Sequence, residues 1–226
     1  KLADKLPESM EGIKPVLIYP LFGVFLIGVF MFAVNPIMGA INSGIVNLLN
    51  SMGGTSKILL GCIVAGMMSI DMGGPFNKAA YVFGTASIAS GNYDIMAAVM
   101  IGGMIPPLAI ALATTFFKKK FTAEERKSGV VNYIMGLCFI TEGAIPFAAS
   151  DPLRVIPSCV VGSAVAGGLS MLFGCTLRAP HGGIFVFAVV GNWPMYLVSL
   201  AVGAVVSMLL LALLKKKKTV KEPETK

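Results

Sequence analysis

The sequence predicts an all-α integral membrane protein in which several transmembrane helices are joined by two re-entrant helical hairpins and interfacial amphipathic helices. Three observations predict it. Of 226 residues, 56% are hydrophobic and only 13% charged, and a mean hydropathy of +0.83 is too apolar for the surface of a soluble globule. Four apolar stretches approach the ~20 residues that a helix needs to cross a bilayer. Two more are short and interrupted by Gly and Pro beside a carboxylate, which suits half-spans lining a cavity better than lipid-facing crossings.

In chain order, residues 1–14 are charged and read as a polar connector, so the chain looks like the C-terminal part of something larger. The membrane part follows over 15–214. Its first span covers 16–34, opened by Pro15 and Pro20 and closed by Asn35-Pro36, as proline geometry favours at helix boundaries. Ile41, Ile45, Leu48, Leu49 and Met52 then share one helical face, with Asn42, Asn47 and Asn50 off it. This pattern fits an interfacial amphipathic helix, and equally a connecting helix packed on protein. A half-span over 58–70, a full span over 95–117, a second half-span over 133–147 and full spans over 155–173 and 196–214 complete the membrane part. Residues 215–226 form a charged tail.

The net charge of +7 is gathered at span ends: Lys118-Lys119-Lys120 with Arg126 and Lys127 in one loop, and Lys215 to Lys218 with Lys221 and Lys226 after the last span. That is the positive-inside signature, and it places both segments in the cytoplasm against an anionic leaflet of the lipid bilayer. Nucleic acid is excluded as a partner, because no soluble basic face with stacking aromatics exists. Cys62, Cys138, Cys159 and Cys175 lie in apolar segments without C-x-x-C spacing and read as small hydrophobes, so no metal and no cofactor is expected. No phosphate loop, zinc-protease helix or nucleophile elbow occurs, which leaves no catalytic residue for a stand-alone enzyme.

The two half-spans share a pattern. Gly66 to Phe76 and Gly136 to Phe147 both read G-x-x-x-I, then an acidic residue one or two places on, then Gly, then Pro-Phe. Paired Gly/Pro-interrupted segments point to a transporter's binding site, because broken helix ends offer free backbone groups to a polar ligand. Glu142, set among apolar neighbours, is costly there unless it faces a cavity and acts. Asp71, at the equivalent break, either binds ligand or caps a broken helix end. Asp151 and Arg154 are close enough to neutralise each other and read as structural. His181, the only histidine, stands in Arg178-Ala179-Pro180-His181-Gly182-Gly183.

Asp71-Met72-Gly73-Gly74-Pro75-Phe76-Asn77-Lys78-Ala79-Ala80-Tyr81, Ile140-Thr141-Glu142-Gly143-Ala144-Ile145-Pro146-Phe147 with Asp151-Pro152, and Pro180-His181-Gly182-Gly183 together resemble the fructose-type enzyme IIC permeases of the bacterial phosphotransferase system. The resemblance covers nearly the whole chain, and the Gly-Gly-Pro-x-Asn-Lys-Ala-Ala form is similar to the fructose branch more than to the mannitol branch. It implies a multi-pass protein of the bacterial inner membrane, an elevator-like transport domain, a homodimer and a missing N-terminal half of IIC. It also implies fructose as substrate and a phosphorylated IIB domain or subunit as partner, fructose leaving as fructose 1-phosphate.

Candidate substrate-binding residues are Glu142, Asp71, Asn77, Lys78, Thr141 and His181. Glu142 would accept hydrogen bonds from sugar hydroxyls, and Asn77 offers both a donor and an acceptor. His181 would bind a hydroxyl, orient the one that attacks phosphorus, or serve structurally. Lys78 would balance a carboxylate, attract the phosphoryl group, or simply pair. Two other functions fit the same residues: an ion-coupled secondary transporter of a small polar solute, and a non-transporting membrane assembly subunit.

Overall fold

The computed structural model describes residue 17 and residues 19–50 and 54–215. The polar connector and the tail beyond Lys215 lie outside the described residues. The chain divides into two compact units, residues 1–50 and 51–226.

The first unit contributes one helix, α1, Tyr19–Asn50, whose part Tyr19–Pro36 is long and apolar enough to cross a membrane. Pro36 lies inside it and does not close it, contrary to the expectation from Asn35-Pro36. One proline removes a single intrahelical hydrogen bond, whereas ending the helix would leave several backbone groups without partners in apolar surroundings. The stretch expected as a separate amphipathic helix continues α1 as far as Asn50, and Met52 lies outside the described residues.

The second unit is built around α4, Tyr93–Phe116, which is buried almost throughout. Against it pack α2 (Gly54–Ile70), α3 (Pro75–Ala89), α5 (Ala123–Leu137), α7 (Pro152–Leu172) and α8 (Trp193–Leu214). With the Tyr19–Pro36 part of α1, the helices α4, α7 and α8 are, among the described residues, the four stretches long and apolar enough to span a membrane, each within a few residues of its expected bounds. Short antiparallel strands β1 (Thr176–Leu177) and β2 (Val190–Gly191) join α7 to α8.

Small residues let these helices touch. A Cβ on Gly61 of α2 would lie 2.5 Å from the Gly167 carbonyl of α7, and one on Gly162 would lie 2.6 Å from the Gly203 carbonyl of α8. Such close backbone approach, rather than bulk hydrophobicity, drives helix association where the solvent is itself apolar. Pro106 and Pro107 sit inside α4. Pro106 leaves the Gly102 carbonyl without its usual helical donor, and Ser163 of α7 supplies one at 2.8 Å, with Ser69 of α2 2.5 Å from the Ser163 hydroxyl. Three helices are thereby tied at one buried point.

The two half-spans are hairpins that enter from opposite ends of α4. Lys57 near the start of α2 pairs with Asp94 at the start of α4 (3.5 Å), while Gly102 packs against Ala65 farther along α2. The chain breaks over 71–74 and returns as α3. The second hairpin starts beside the other end, where Gly129 of α5 meets Thr114, and climbs past Leu108 at Gly136. It breaks after Leu137, forms a 3-10 turn Thr141–Ala144, and returns as the short α6, Ile145–Ser150. Both tips therefore reach the middle of the 24-residue α4, beside Gly103.

Candidate functional site

Each break is shaped by a non-glycine residue with positive φ, Met72 (47°) and Phe139 (63°), both buried. This conformation costs on the order of 1 to 3 kcal/mol and persists where packing over-determines it. At the first break Asp71 turns back onto the start of α3: its carboxylate accepts from the amides of Phe76 (2.7 Å) and Asn77 (2.9 Å). Pro75 at the first helical turn needs no such acceptor. The Asn77 side chain crosses the break and donates from its amide nitrogen to the Met68 carbonyl at the end of α2, at 2.7 Å. Its oxygen is left as the atom suited to accept from a ligand.

At the second break the Thr141 hydroxyl is buried and donates to the Gly103 carbonyl of α4 at 2.9 Å. Glu142, next in the chain, turns the other way. Its carboxylate is half exposed, 3.8 Å from the Lys78 ammonium of the first hairpin. The tips also approach through backbone, since a Cβ on Gly73 would sit 2.8 Å from Glu142 Oε1. The third wall is the loop after β1. Gly182 and Gly183 have positive φ, and a Cβ on Gly183 would fall 2.0 Å from the Leu137 carbonyl, so only glycine lets this loop lie on the second break. His181 is thereby held with its ring centre 4.9 Å from that of Phe139.

Asn77, Lys78, Thr141, Glu142 and His181 line one cavity of about 190 Å³ together with Met68, Tyr81 and Phe139. Five of the six candidates thus converge. Asp71 is not in the lining; its carboxylate caps α3. Tyr81 and Phe139 were not singled out in the sequence, yet with His181 they form an aromatic wall, the Tyr81 and Phe139 ring centres 6.3 Å apart. Tyr81 follows Asn77 and Lys78 by four and three residues, a spacing that puts all three on one face of α3. A cavity with one carboxylate, one ammonium, an amide oxygen, an imidazole and an aromatic wall suits a small, neutral, polyhydroxylated ligand: polar groups take its hydroxyls and rings take its C–H face.

The charges read as structural form a second cluster at the basic end. Arg154 Nη1 lies 3.0 Å from Asp151 Oδ1. Lys215, the first residue of the charged segment after the last span, turns into this cluster. Its side chain is only 2% exposed, 3.7 Å from Glu125 and 4.0 Å from Asp151, with its ammonium over the Phe121 ring. Lys120 donates to the carbonyls of Ala212 and Lys215 at the end of α8. Burial follows because carboxylates from α5 and from the α6–α7 junction converge there, which linear order conceals. Cys159 and Cys175 are buried, and Cys62 and Cys138 half-buried.

Residues 1–162 match the family model described as phosphotransferase system, EIIC. The chain belongs to that family. It is 57% identical over 223 residues to the PTS system fructose-specific EIIABC component of Bacillus subtilis (strain 168), a match covering 98% of this chain and 35% of that protein. It is 54% identical over 217 residues to the fructose permease IIC component of Bacillus amyloliquefaciens, covering 96% and 71%. With the PTS system fructose-specific EIIB'BC component of Escherichia coli (strain K12) it shares 46% over 216 residues, covering 94% and 38%. The EIIC chain thus spans little more than a third of the fused relatives it matches. No solved structure matches it. Membership of the EIIC family and four membrane-length apolar helices make it a multi-pass membrane protein, and they do not favour an ion-coupled carrier or an assembly subunit.

Proposed function

We propose that this chain is the sugar-binding part of a fructose permease, carrying fructose to a phosphorylated IIB partner. The observation that supports this most is the meeting of two opposed hairpin tips half-way along α4, with Glu142, Asn77, Lys78 and His181 around one cavity. Transporters place their sites at this depth, between broken helices, because neither membrane face then reaches the ligand directly. The names of the relatives, fructose-specific and joined to B components, support fructose as the sugar and IIB as the donor.

In this reading Glu142 accepts from one or two sugar hydroxyls, Asn77 Oδ1 accepts from another, and Tyr81, Phe139 and His181 pack on the ring. The second unit then moves as an elevator-like transport domain against partners that include the N-terminal half of IIC and a second copy in a homodimer. At the cytoplasmic side the fructose 1-hydroxyl attacks the phosphorus held by the IIB cysteine. The S–P bond breaks, the thiolate leaves, the hydroxyl proton is lost to base, and fructose 1-phosphate is released. Lys78 offers positive charge to the incoming phosphoryl oxygens and His181 orients the attacking hydroxyl. The membrane is the bacterial inner membrane, residues 1–14 are a connector, and the loop around Lys119 faces the cytoplasm with Asn92 opposite.

The test uses vesicles of the complete permease with phosphorylated IIB inside. Accumulation of fructose 1-phosphate that stops when IIB is unphosphorylated is expected. Uptake of free fructose driven by a proton or sodium gradient alone would contradict it.

A further inference from the structure

Thr141 is one of the residues in the cavity lining, yet its hydroxyl proton is already committed. It is donated to the Gly103 carbonyl at 2.9 Å, and the side chain is 3% exposed. That carbonyl is unusual. In a helix it accepts from the amide four residues on, or three in a tighter turn, and here those residues are Pro107 and Pro106, neither of which carries an amide hydrogen. A buried carbonyl without a donor is costly, so α4 presents an acceptor that some other segment must fill. Gly103 also clears the approach: a Cβ there would lie 2.4 Å from the Phe139 ring and 2.8 Å from Thr141 Oγ1.

We propose that Thr141 is a positioning residue, whose hydroxyl latches the second hairpin tip to the Gly103 carbonyl liberated by Pro107, so that a position in α4 that touches no ligand sets the aim of the Glu142 carboxylate. The aim follows from the chain. With the Thr141 side chain drawn into α4, the next residue of the 3-10 turn projects away from α4, and Glu142 faces Lys78 and the cavity. The paired break of the first hairpin uses another device, the Asn77 amide on the Met68 carbonyl. The role of Glu142 toward sugar rests on the function proposed above, whereas the latch itself does not.

The test therefore reads Glu142 directly. In the complete permease without sugar, the rate at which a hydrophobic carbodiimide modifies Glu142 is followed by mass spectrometry, and fructose affinity is measured separately. Thr141→Val keeps the shape and removes the donor; it is expected to change the labelling rate and weaken fructose binding by about fivefold to tenfold, the factor one hydrogen bond supports. Thr141→Ser should restore both. Pro107→Ala returns an amide hydrogen to the Gly103 carbonyl, so it should shift labelling in the same direction, and in its background Thr141→Val should have a clearly smaller effect. Equal effects of Thr141→Val in both backgrounds, or failure of Thr141→Ser to restore, would overturn the latch. A change in thermal stability alone, with labelling and affinity unmoved, would reduce Thr141 to a brace and overturn the positioning role. If Thr141→Val fails to insert, Pro107→Ala still decides, since unchanged labelling in it contradicts the proposal. The expected labelling pattern in a protein that binds no fructose would refute the sugar and leave the latch standing.

Discussion

The Lys78 ammonium faces the Glu142 carboxylate at 3.8 Å, joining the tips of two hairpins that enter from opposite ends of α4. With side chains 62% and 48% exposed, the pair contributes no more than about 1 kcal/mol to stability. It is therefore a contact that a ligand can rearrange cheaply. The binding energy that a hydroxyl gains from the carboxylate is not spent on breaking a buried lock.

Asp71 and Glu142 occupy equivalent places in the two motifs but do different work. Asp71→Ala removes two acceptors at the start of α3 and is expected to lower the stability of the complete permease by about 1 kcal/mol, as cap removal does. Fructose affinity should fall less than in a Glu142 variant. Thermal unfolding with and without sugar checks this, and a loss of affinity without a loss of stability would return Asp71 to the ligand.

Gly103→Ala places a methyl 2.4 Å from the buried Phe139 ring. Overpacking of this kind costs typically 1 to 3 kcal/mol. The expected outcome is a lower unfolding temperature together with weaker fructose binding, since Phe139 and Thr141 are both displaced. Wild-type binding in a stable Gly103→Ala permease would show that these two residues do not shape the cavity.

Lys215→Gln leaves the carboxylates of Glu125 and Asp151 without this cation in a mostly buried setting. Because both are partly exposed, the expected destabilisation is about 3 kcal/mol, at the low end for broken buried pairs. Lys119→Gln, on the exposed loop, should change stability by no more than about 0.5 kcal/mol. Comparing the two unfolding midpoints separates a buried clamp from an exposed surface lysine.

The spans were legible because lipid imposes a length and a composition, and the breaks because Gly and Pro next to Asp71 and Glu142 cannot be lipid-facing helix. Five of the six candidate residues met in one cavity because those breaks concentrate free backbone at two points. What the sequence concealed depends on contacts between distant segments. Nothing local shows that Lys215 turns back onto Glu125 and Asp151, or that Pro107 hands a carbonyl to Thr141. Pro36 misled for the opposite reason: a local rule that ends helices in water yields where unpaired backbone has no water to meet. Phe139 was hidden by its φ, since an aromatic residue is an uncommon choice for a left-handed turn.

The central claim is that Glu142 holds the sugar, and binding of fructose to the purified complete permease tests it. Glu142→Gln keeps the shape and one acceptor but removes the charge, so a charge-assisted bond of about 1.5 to 3 kcal/mol is weakened or lost. The control is Lys119→Gln, an exposed loop lysine away from the cavity. Affinity about tenfold to a hundredfold weaker in Glu142→Gln than in the control, with equal insertion and folding, is the predicted result. Equal affinities in the two variants would remove Glu142 from the site and contradict the account.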